Sequence, residues 1–245
     1  MPNKWGYERA IVVGASSGIG LEIARLLATD GCRVAAVARR ADRLRKLAEE
    51  FPERVLAFEH DVTQFGATRG LFQEITRQLG GLDLVVYAAG AMLPVGRDEF
   101  DFEKDQAMFA INVLGCVAWM NEAADRFQGV GAGTLLAIGS VAGDRGRAAQ
   151  PGYNSSKAAL ATFMEALRNR LAKKGVRVVT IKPGPTRTEM TAHLDTSKMM
   201  SPEAVARIAL TKSRRTGEHY VKLTHAILFA ILKHIPSWIF RRLKI

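Results

Sequence analysis

The sequence predicts an α/β fold: a doubly wound parallel sheet of about seven strands, with helices on both faces. Two observations lead to this prediction. Short runs rich in β-branched residues alternate with helical patterns over nearly all of the 245 residues, which is typical of βαβ units. A glycine-rich loop joins the first strand to the first helix, and no Ser/Gly-rich linker or internal repeat interrupts the alternation. We therefore expect a single domain, followed by a C-terminal helical extension.

The elements can be assigned in order from composition and periodicity. The predicted strands are 10–13, 33–38, 55–58, 82–87, 134–138, 176–181 and 218–223. The predicted helices are 21–30, 66–80, 103–128 (as one helix or two) and 158–171. Open α/β sheets bind their ligands at the carboxyl ends of the strands. The loops that follow the strands are therefore where functional residues are expected.

The loop after the first strand carries closely spaced glycines. Such a loop lets the backbone approach a phosphate, and the free N–H groups of the next helix bind the phosphate oxygens. The spacing is G-x-x-x-G-x-G rather than G-x-G-x-x-G, but its position between a strand and a helix indicates a pyrophosphate site. The residues expected to bind it are Gly14, Ser16, Ser17, Gly18, Ile19 and Gly20.

The end of the second strand indicates which dinucleotide binds. An acidic residue commonly holds the adenosine ribose at this point, about 20 residues beyond the glycines. Here Arg39 and Arg40 follow the strand instead, and guanidinium groups suit a 2′-phosphate. The alternative is an ordinary basic loop that continues through Arg43. With the glycine loop upstream, we favour NADP(H) over NAD(H).

Small residues and one asparagine mark the region after the fourth strand. Ala88, Ala89 and Gly90 would let a planar ring or a ribose approach, or they serve only tight packing. Asn112 lies among apolar residues of the predicted helix 103–128 and must be hydrogen-bonded if it is buried. It either ties that helix to a neighbouring strand, or holds a water or the catalytic lysine.

Three residues between positions 140 and 157 suit proton transfer at an oxygen bound to carbon. Ser140 follows the fifth strand, and Tyr153 and Lys157 are spaced i and i+4 at a helix start, so they share one face. An ammonium near a phenol stabilises the phenolate and lowers its pKa from about 10. A serine hydroxyl can hold the carbonyl oxygen as its charge changes. The alternative for the Tyr–Lys pair alone is a solvated pair on a helix surface.

The bulk composition limits the function classes. The net charge is +11, from 35 basic and 24 acidic residues, and the excess is concentrated after residue 202. A nucleic-acid binder is disfavoured because aromatic interleaving and a recognisable motif are missing. No secretory signal is seen near the N-terminus, and a cytoplasmic location is expected. We expect no metal site, because the two cysteines lie in apolar segments.

Together these motifs resemble the short-chain dehydrogenase/reductase family over residues 9–223. The resemblance implies a Rossmann fold, NAD(P)(H)-dependent redox chemistry between an alcohol and a carbonyl, and a homo-oligomer, either a dimer or a tetramer. It implies that Tyr153 is the general acid/base, that Ser140 anchors the carbonyl oxygen, and that Lys157 lowers the tyrosine pKa and binds the nicotinamide ribose. The resemblance also implies that Asn112 holds a water that takes part in the proton relay. Its further cofactor contacts are Asp61, Val62, Pro183, Gly184, Thr186 and Thr188, with Asp61 at the adenine and Arg39 at the 2′-phosphate.

The chain departs from the family pattern after the fourth strand, where Tyr87-Ala88-Ala89-Gly90 replaces the usual Asn-Asn-Ala-Gly. Apolar residues in the loops after the strands favour a small lipophilic carbonyl or alcohol substrate. A non-enzymatic NADP sensor or scaffold on the same fold is the alternative, but a sensor does not need Ser140, Tyr153 and Lys157 together.

The second departure is the C-terminal extension, which divides the chain into a catalytic domain, 1–224, and a tail, 225–245. The uncharged apolar run 226–232 is far shorter than the ~20 residues that span a bilayer. We expect 226–235 to be helical and to pack on protein, either near the substrate loop or across a subunit contact. The alternative is a peripheral membrane contact, in which Trp238 and Phe240 enter the interface and the basic residues meet anionic headgroups.

Overall fold

The computed structural model describes residues 3–243 and contains one parallel sheet. Its strands lie in the order β3-β2-β1-β4-β5-β6-β7, and every neighbouring pair is parallel. The order reverses beside β1, between β2 and β4. This topology confirms the predicted doubly wound sheet. The strands are β1 Arg9–Val13, β2 Arg33–Ala38, β3 Val55–Glu59, β4 Leu84–Tyr87, β5 Gly133–Ile138, β6 Val176–Lys182 and β7 Gly217–Tyr220.

Helices cover both faces of the sheet. Apolar residues of α1, α2 and α7 form one core layer with the sheet, and those of α3, α5 and α6 form the other. The central strands β1, β2 and β4 are buried on both sides, as expected of near-continuous apolar strands in a parallel sheet. The helices are α1 Gly18–Thr29, α2 Ala41–Glu50, α3 Thr68–Leu79, α4 Phe102–Phe109, α5 Gly115–Val130, α6 Pro151–Arg170, α7 Pro202–Lys212, α8 Leu223–His234 and α9 Ser237–Phe240.

Three helices were missed in the sequence analysis: α2, α7 and the short α9. The basic stretch beyond Arg40 forms α2, which buries Leu44 and Leu47 and exposes its charged residues, so it is not an ordinary loop. Helix α7 begins after Ser201, whose side chain accepts a hydrogen bond from Ala204 N, and has Pro202 in its first turn. Serine at the N-cap with proline next to it is a strong helix-start signal.

The predicted helix 103–128 is two helices joined by a π-helical segment, Ala110–Leu114. Together they form a continuous 29-residue stretch, Phe102–Val130, with a mean hydropathy of 1.3 in its most apolar window. By length and composition alone this stretch could cross a membrane, but α5 packs Trp119, Met120 and Phe127 into the core. The composition is therefore that of a core helix.

Helix α8 packs on the loop that follows β5. Phe229 and Leu232 are buried against Val141, with Tyr220, Ile235 and Phe240 beside them. Arg145 from that loop donates to the carbonyl oxygens of Lys233 and Ile235, at 3.1 and 2.7 Å. The C-terminal segment is therefore attached to the loop that begins with Ser140.

Candidate active site

A cleft of about 420 Å³ lies at the carboxyl ends of the central strands. The glycine loop, the strand ends and the loop after β6 form its walls. The predicted residues that line it are Gly14, Ser16, Ser17, Gly18, Ile19, Arg39, Arg40, Val62, Ala88, Ala89, Gly90, Ser140, Tyr153, Lys157, Pro183, Gly184, Thr186 and Thr188. Gly20, Asp61 and Asn112 lie outside the lining.

The glycine loop packs directly on the end of β4. A Cβ at Gly14, where φ is 91°, would lie 2.4 Å from Ala89 N. A Cβ at Gly20 would lie 2.3 Å from Gly14 O, so Gly20 shapes the loop from behind. Ser17 precedes α1 without making a side-chain cap, which leaves N–H groups at the start of α1 available to an anion. The backbone of the glycine loop and the N–H groups at the start of α1 together fit a pyrophosphate.

Two arginines stand where β2 ends at the cleft, in different environments. Arg40 donates to Ser16 Oγ and Ser17 Oγ, at 2.9 and 2.6 Å, and lies 2.6 Å from Glu189 Oε2. Arg39 is mostly exposed, with its Nη1 3.7 Å from Asp61 Oδ2. Each guanidinium therefore faces one carboxylate, Glu189 for Arg40 and Asp61 for Arg39, and both border the cleft, where they could bind a phosphate. Asp61 Oδ1 accepts from Thr63 N and Thr63 Oγ1, at 2.9 and 2.8 Å, so this carboxylate oxygen is bound within its own turn.

Lys157 is buried at the base of the cleft. Its Nζ donates to Ile138 O at 3.0 Å and lies 5.9 Å from the centre of the Tyr153 ring. Burial lowers the pKa of Lys157 to about 8. An ammonium has three donors, so two remain for a ribose hydroxyl or a water.

Asn112 ties the π-helical segment to the loop after β4. Its Oδ1 accepts from Ala91 N at 2.8 Å, and its Nδ2 donates to Ala91 O and to Ser156 Oγ, each at 2.9 Å. Both amide protons are therefore used within the protein. A Cβ at Gly90 would lie 3.3 Å from Asn112 Oδ1 and 3.5 Å from Lys157 Nζ, so Asn112, Gly90 and Lys157 form one packed group.

Tyr153 faces Ser140 across the cleft, in the first turn of α6. Burial raises the pKa of Tyr153, while the Ser140 hydroxyl and the positive charge of Arg147 oppose that rise. Ser140 Oγ accepts from Ala142 N at 3.0 Å, which leaves its own proton free to donate to a substrate oxygen.

The profile of the short chain dehydrogenase family matches residues 8–199. The chain belongs to this family. An uncharacterized oxidoreductase of Myxococcus xanthus is 38% identical over 189 residues, 76% of this chain and 75% of the relative. An uncharacterized oxidoreductase of Mycobacterium tuberculosis is 31% identical over 209 residues, 83% of each chain.

Solved structures of short-chain dehydrogenases share the fold. One from Mycobacterium marinum is 29% identical, with a TM-score of 0.76 over 86% of this chain and 92% of that chain. The structure of ElxO with NADP bound is 21% identical, with a TM-score of 0.82 over 90% and 99%. The resemblance inferred from the motifs is therefore confirmed, and this short-chain dehydrogenase is an oxidoreductase by family.

Three titratable residues that line the cleft in this short-chain dehydrogenase were not among the predicted site residues. His60 lines the cleft beside Trp119, and burial lowers its pKa. Glu189 reaches from the loop after β6 to Arg40 and Arg43. Arg147 lines the cleft near Tyr153 and donates to Asn154 Oδ1 at 3.2 Å. Within residues 3–243, no group of three or more His, Cys, Asp or Glu side chains could hold a metal ion.

Proposed function

We propose that this protein is an NADP(H)-dependent oxidoreductase that transfers hydride between the nicotinamide and a carbonyl or secondary alcohol. The observation that carries the proposal is that Ser140, Tyr153 and Lys157 share one cleft with the glycine loop. When bound, the nicotinamide supplies or accepts the hydride at carbon. The protein then needs only to bind both molecules and to move one proton.

In the reductive direction, the Tyr153 hydroxyl gives its proton to the substrate oxygen as hydride reaches the carbonyl carbon, and a secondary alcohol results. The Ser140 hydroxyl donates a hydrogen bond to the same oxygen and stabilises its growing negative charge. Lys157 binds the ribose hydroxyls and, by its charge, favours the tyrosinate that remains. Asn112 fixes the loop after β4, and a water bound near it would return a proton to Tyr153.

The preference for NADP(H) is supported by the charges at the adenosine end. Arg39, Arg40 and Arg43 surround the place where a 2′-phosphate would lie, and the end of β2 carries no carboxylate. The structural neighbour ElxO was solved with NADP bound, which is consistent with this preference. Asp61 and Val62 would border the adenine, and Pro183, Gly184, Thr186 and Thr188 the nicotinamide end.

The substrate class follows from the rest of the cleft wall. Met92, Ile111, Val141, Met190 and Leu194 line the same cleft as Tyr153, which favours a small lipophilic carbonyl or alcohol. Arg147 is a charged side chain that lines the same cleft. We further propose that the protein acts in the cytoplasm as a homo-oligomer, a dimer or a tetramer.

The proposal is tested by titrating purified full-length protein with NADPH and NADH and following loss of reduced-cofactor absorbance with a panel of aldehydes and ketones. We expect turnover of lipophilic carbonyls with NADPH, and none after Tyr153→Phe. Tight NADPH binding without turnover of any compound in the reductive or oxidative direction would instead support the sensor alternative.

A further inference from the structure

The C-terminal segment 223–243 has two apolar faces. The inner face packs Phe229 and Leu232 against Val141. The opposite face carries large apolar side chains in water: Ile227 is 56% exposed and Ile231, one turn later, is 60% exposed. We call this the outer face; its residues are Leu223, Ile227, Leu228, Ile231, Trp238 and Ile239. A helix on the surface of a protein normally places polar residues on the side away from the core. An apolar outer face is therefore expected to be covered by another molecule.

The outer face is held on a firm support. Arg145 fixes the end of α8 through two backbone carbonyls, and its guanidinium lies 4.6 Å from the centre of the Phe240 ring. The exposed side chains are thus presented together by the body of the protein. Burying them costs little further ordering of the backbone.

The charge around the outer face has one sign. No Asp or Glu follows Glu218 in the sequence, whereas Lys222 directly precedes the segment and Lys233, Arg241 and Arg242 lie within it. The charge of Lys233 is paired with Asp144, and the two arginines are exposed at the far end. The Arg242 guanidinium lies 5.8 Å from the centre of the Trp238 ring. A tryptophan beside cations is typical of a side chain at a bilayer surface.

We propose that the outer face docks on a membrane surface that contains anionic lipid. Helix α8 has 12 residues, about 18 Å in length, which is too short for a hydrocarbon core of about 30 Å. It would therefore lie in the plane of the interface, with its isoleucines among the upper acyl chains and the arginines at the headgroups.

A second copy of this chain is the competing occupant. A two-fold contact would bring the same patch of both copies together. Arg241 and Arg242 of one copy would then lie in the same interface as Arg241 and Arg242 of the other, and the segment has no acidic side chain to neutralise them. An anionic bilayer supplies the opposite charge at the same place. The charge complementarity favours the bilayer.

The test is flotation of the full-length protein with vesicles of phosphatidylcholine alone, or with about one-third phosphatidylglycerol. We expect binding to the anionic vesicles, weakened by salt. Ile227→Ser with Ile231→Ser should weaken it by about tenfold or more, and Val130→Ser, an equally exposed apolar residue on α5, should not. Arg241→Gln with Arg242→Gln should weaken it about tenfold or more. Removal of the same charge from exposed α3, by Arg69→Gln with Arg77→Gln, should have little effect.

A second measurement needs no variant in the outer face. Trp5 and Trp119 are buried and Trp238 is exposed, so anionic vesicles should shift the tryptophan emission to the blue, and Trp238→Phe should abolish the shift. The proposal is overturned if the unmodified protein neither floats nor changes its emission at low salt. It is also overturned if the isoleucine variants leave flotation intact but reduce the oligomer size, because the face would then join copies of this chain.

Discussion

Lys233 Nζ in α8 lies 2.8 Å from Oδ1 of Asp144, in the short turn that follows Ser140. Asp144 is fully buried, and its other partners are Lys182 Nζ at 2.5 Å and the Tyr220 hydroxyl at 3.0 Å. Burial and the neighbouring Asp144 raise the pKa of Tyr220 to about 12, so Tyr220 stays a donor. One carboxylate thus joins β6, β7, α8 and the loop that carries Ser140.

We expect Asp144→Asn to destabilise the protein by about 3 kcal/mol, because it leaves the buried Lys182 ammonium with less compensating charge. For a chain of this size that is about 6–12 °C in Tm. Lys233→Gln should cost less than about 1 kcal/mol, since that ammonium is partly exposed. Thermal unfolding of both variants checks the order. Equal destabilisation by the two variants would contradict the central role of Asp144 in this group of contacts.

The pH dependence of the same pair has a definite sign. Burial lowers the pKa of Lys233, but hydrogen bonding and attraction to Asp144 outweigh it and raise the pKa overall. A lysine whose pKa is raised by folding contributes stability that is fully present below its unfolded pKa of about 10.4. That stability is lost as the pH rises through the folded pKa. We expect the difference in unfolding free energy between the wild type and Lys233→Gln to be constant from pH 6 to about 9 and to shrink only in alkali.

Tyr153→Phe should lower kcat by about 100-fold or more, because the ring remains and the transferred proton is lost. NADPH affinity, measured by calorimetry, should change little. Tyr7→Phe is the matched control, since it removes a buried phenolic hydroxyl that contacts Ser213 outside the cleft. Near-normal turnover by Tyr153→Phe would exclude the proposed acid.

Arg147→Met should raise the pKa of Tyr153, because the positive charge of Arg147 opposes the rise caused by burial. In the reductive direction Tyr153 must be protonated, so the falling limb of the pH–rate profile should move to higher pH. In the oxidative direction the phenolate is needed, and the rising limb should move the same way. Arg170→Met, on the exposed end of α6, should leave both limbs in place. A shift toward lower pH would contradict the argument.

Glu189→Gln should strengthen NADPH binding severalfold and leave NADH unchanged. Its carboxylate pairs with Arg40 and Arg43, the same groups that a 2′-phosphate would engage, and those arginines lower the pKa of Glu189. Glu203→Gln, which removes a similar surface pair with Arg207, is the control. Weaker NADPH binding by Glu189→Gln would mean that Glu189 orders the arginines rather than competing for them.

Arg39→Ala should weaken NADPH by tens-fold and leave NADH nearly unchanged, since a charge-assisted hydrogen bond contributes about 1.5–3 kcal/mol. Arg39 is free of the glycine loop, whereas Arg40 contacts Ser16 and Ser17, so Arg39→Ala isolates the phosphate contribution. Calorimetric titration with both cofactors checks it. Equal weakening of the two cofactors would count against a 2′-phosphate site.

The sequence was most informative where a short local pattern carries the function. Tyr153 and Lys157 are one helical turn apart, and the glycine loop occupies a single strand–helix junction, so spacing alone brought each set together. Glu189 pairs with Arg40, and Asp144 pairs with Lys233, across segments far apart in the chain, and only the folded loops bring them into contact. The role of Asn112 was open for the same reason, because a buried amide's partners depend on how the π-helical segment meets Ala91.

His225, near the start of α8, lies against the loop after β6. A Cβ on Gly184 would stand 2.1 Å from His225 Cε1, so the imidazole occupies the space that any larger residue at 184 would need. The C-terminal helix and the proposed nicotinamide loop therefore cannot be exchanged independently between relatives. A chimera that receives α8 from a relative must receive a matching loop at 183–185 as well, and its fusion point belongs within β6 rather than after β7.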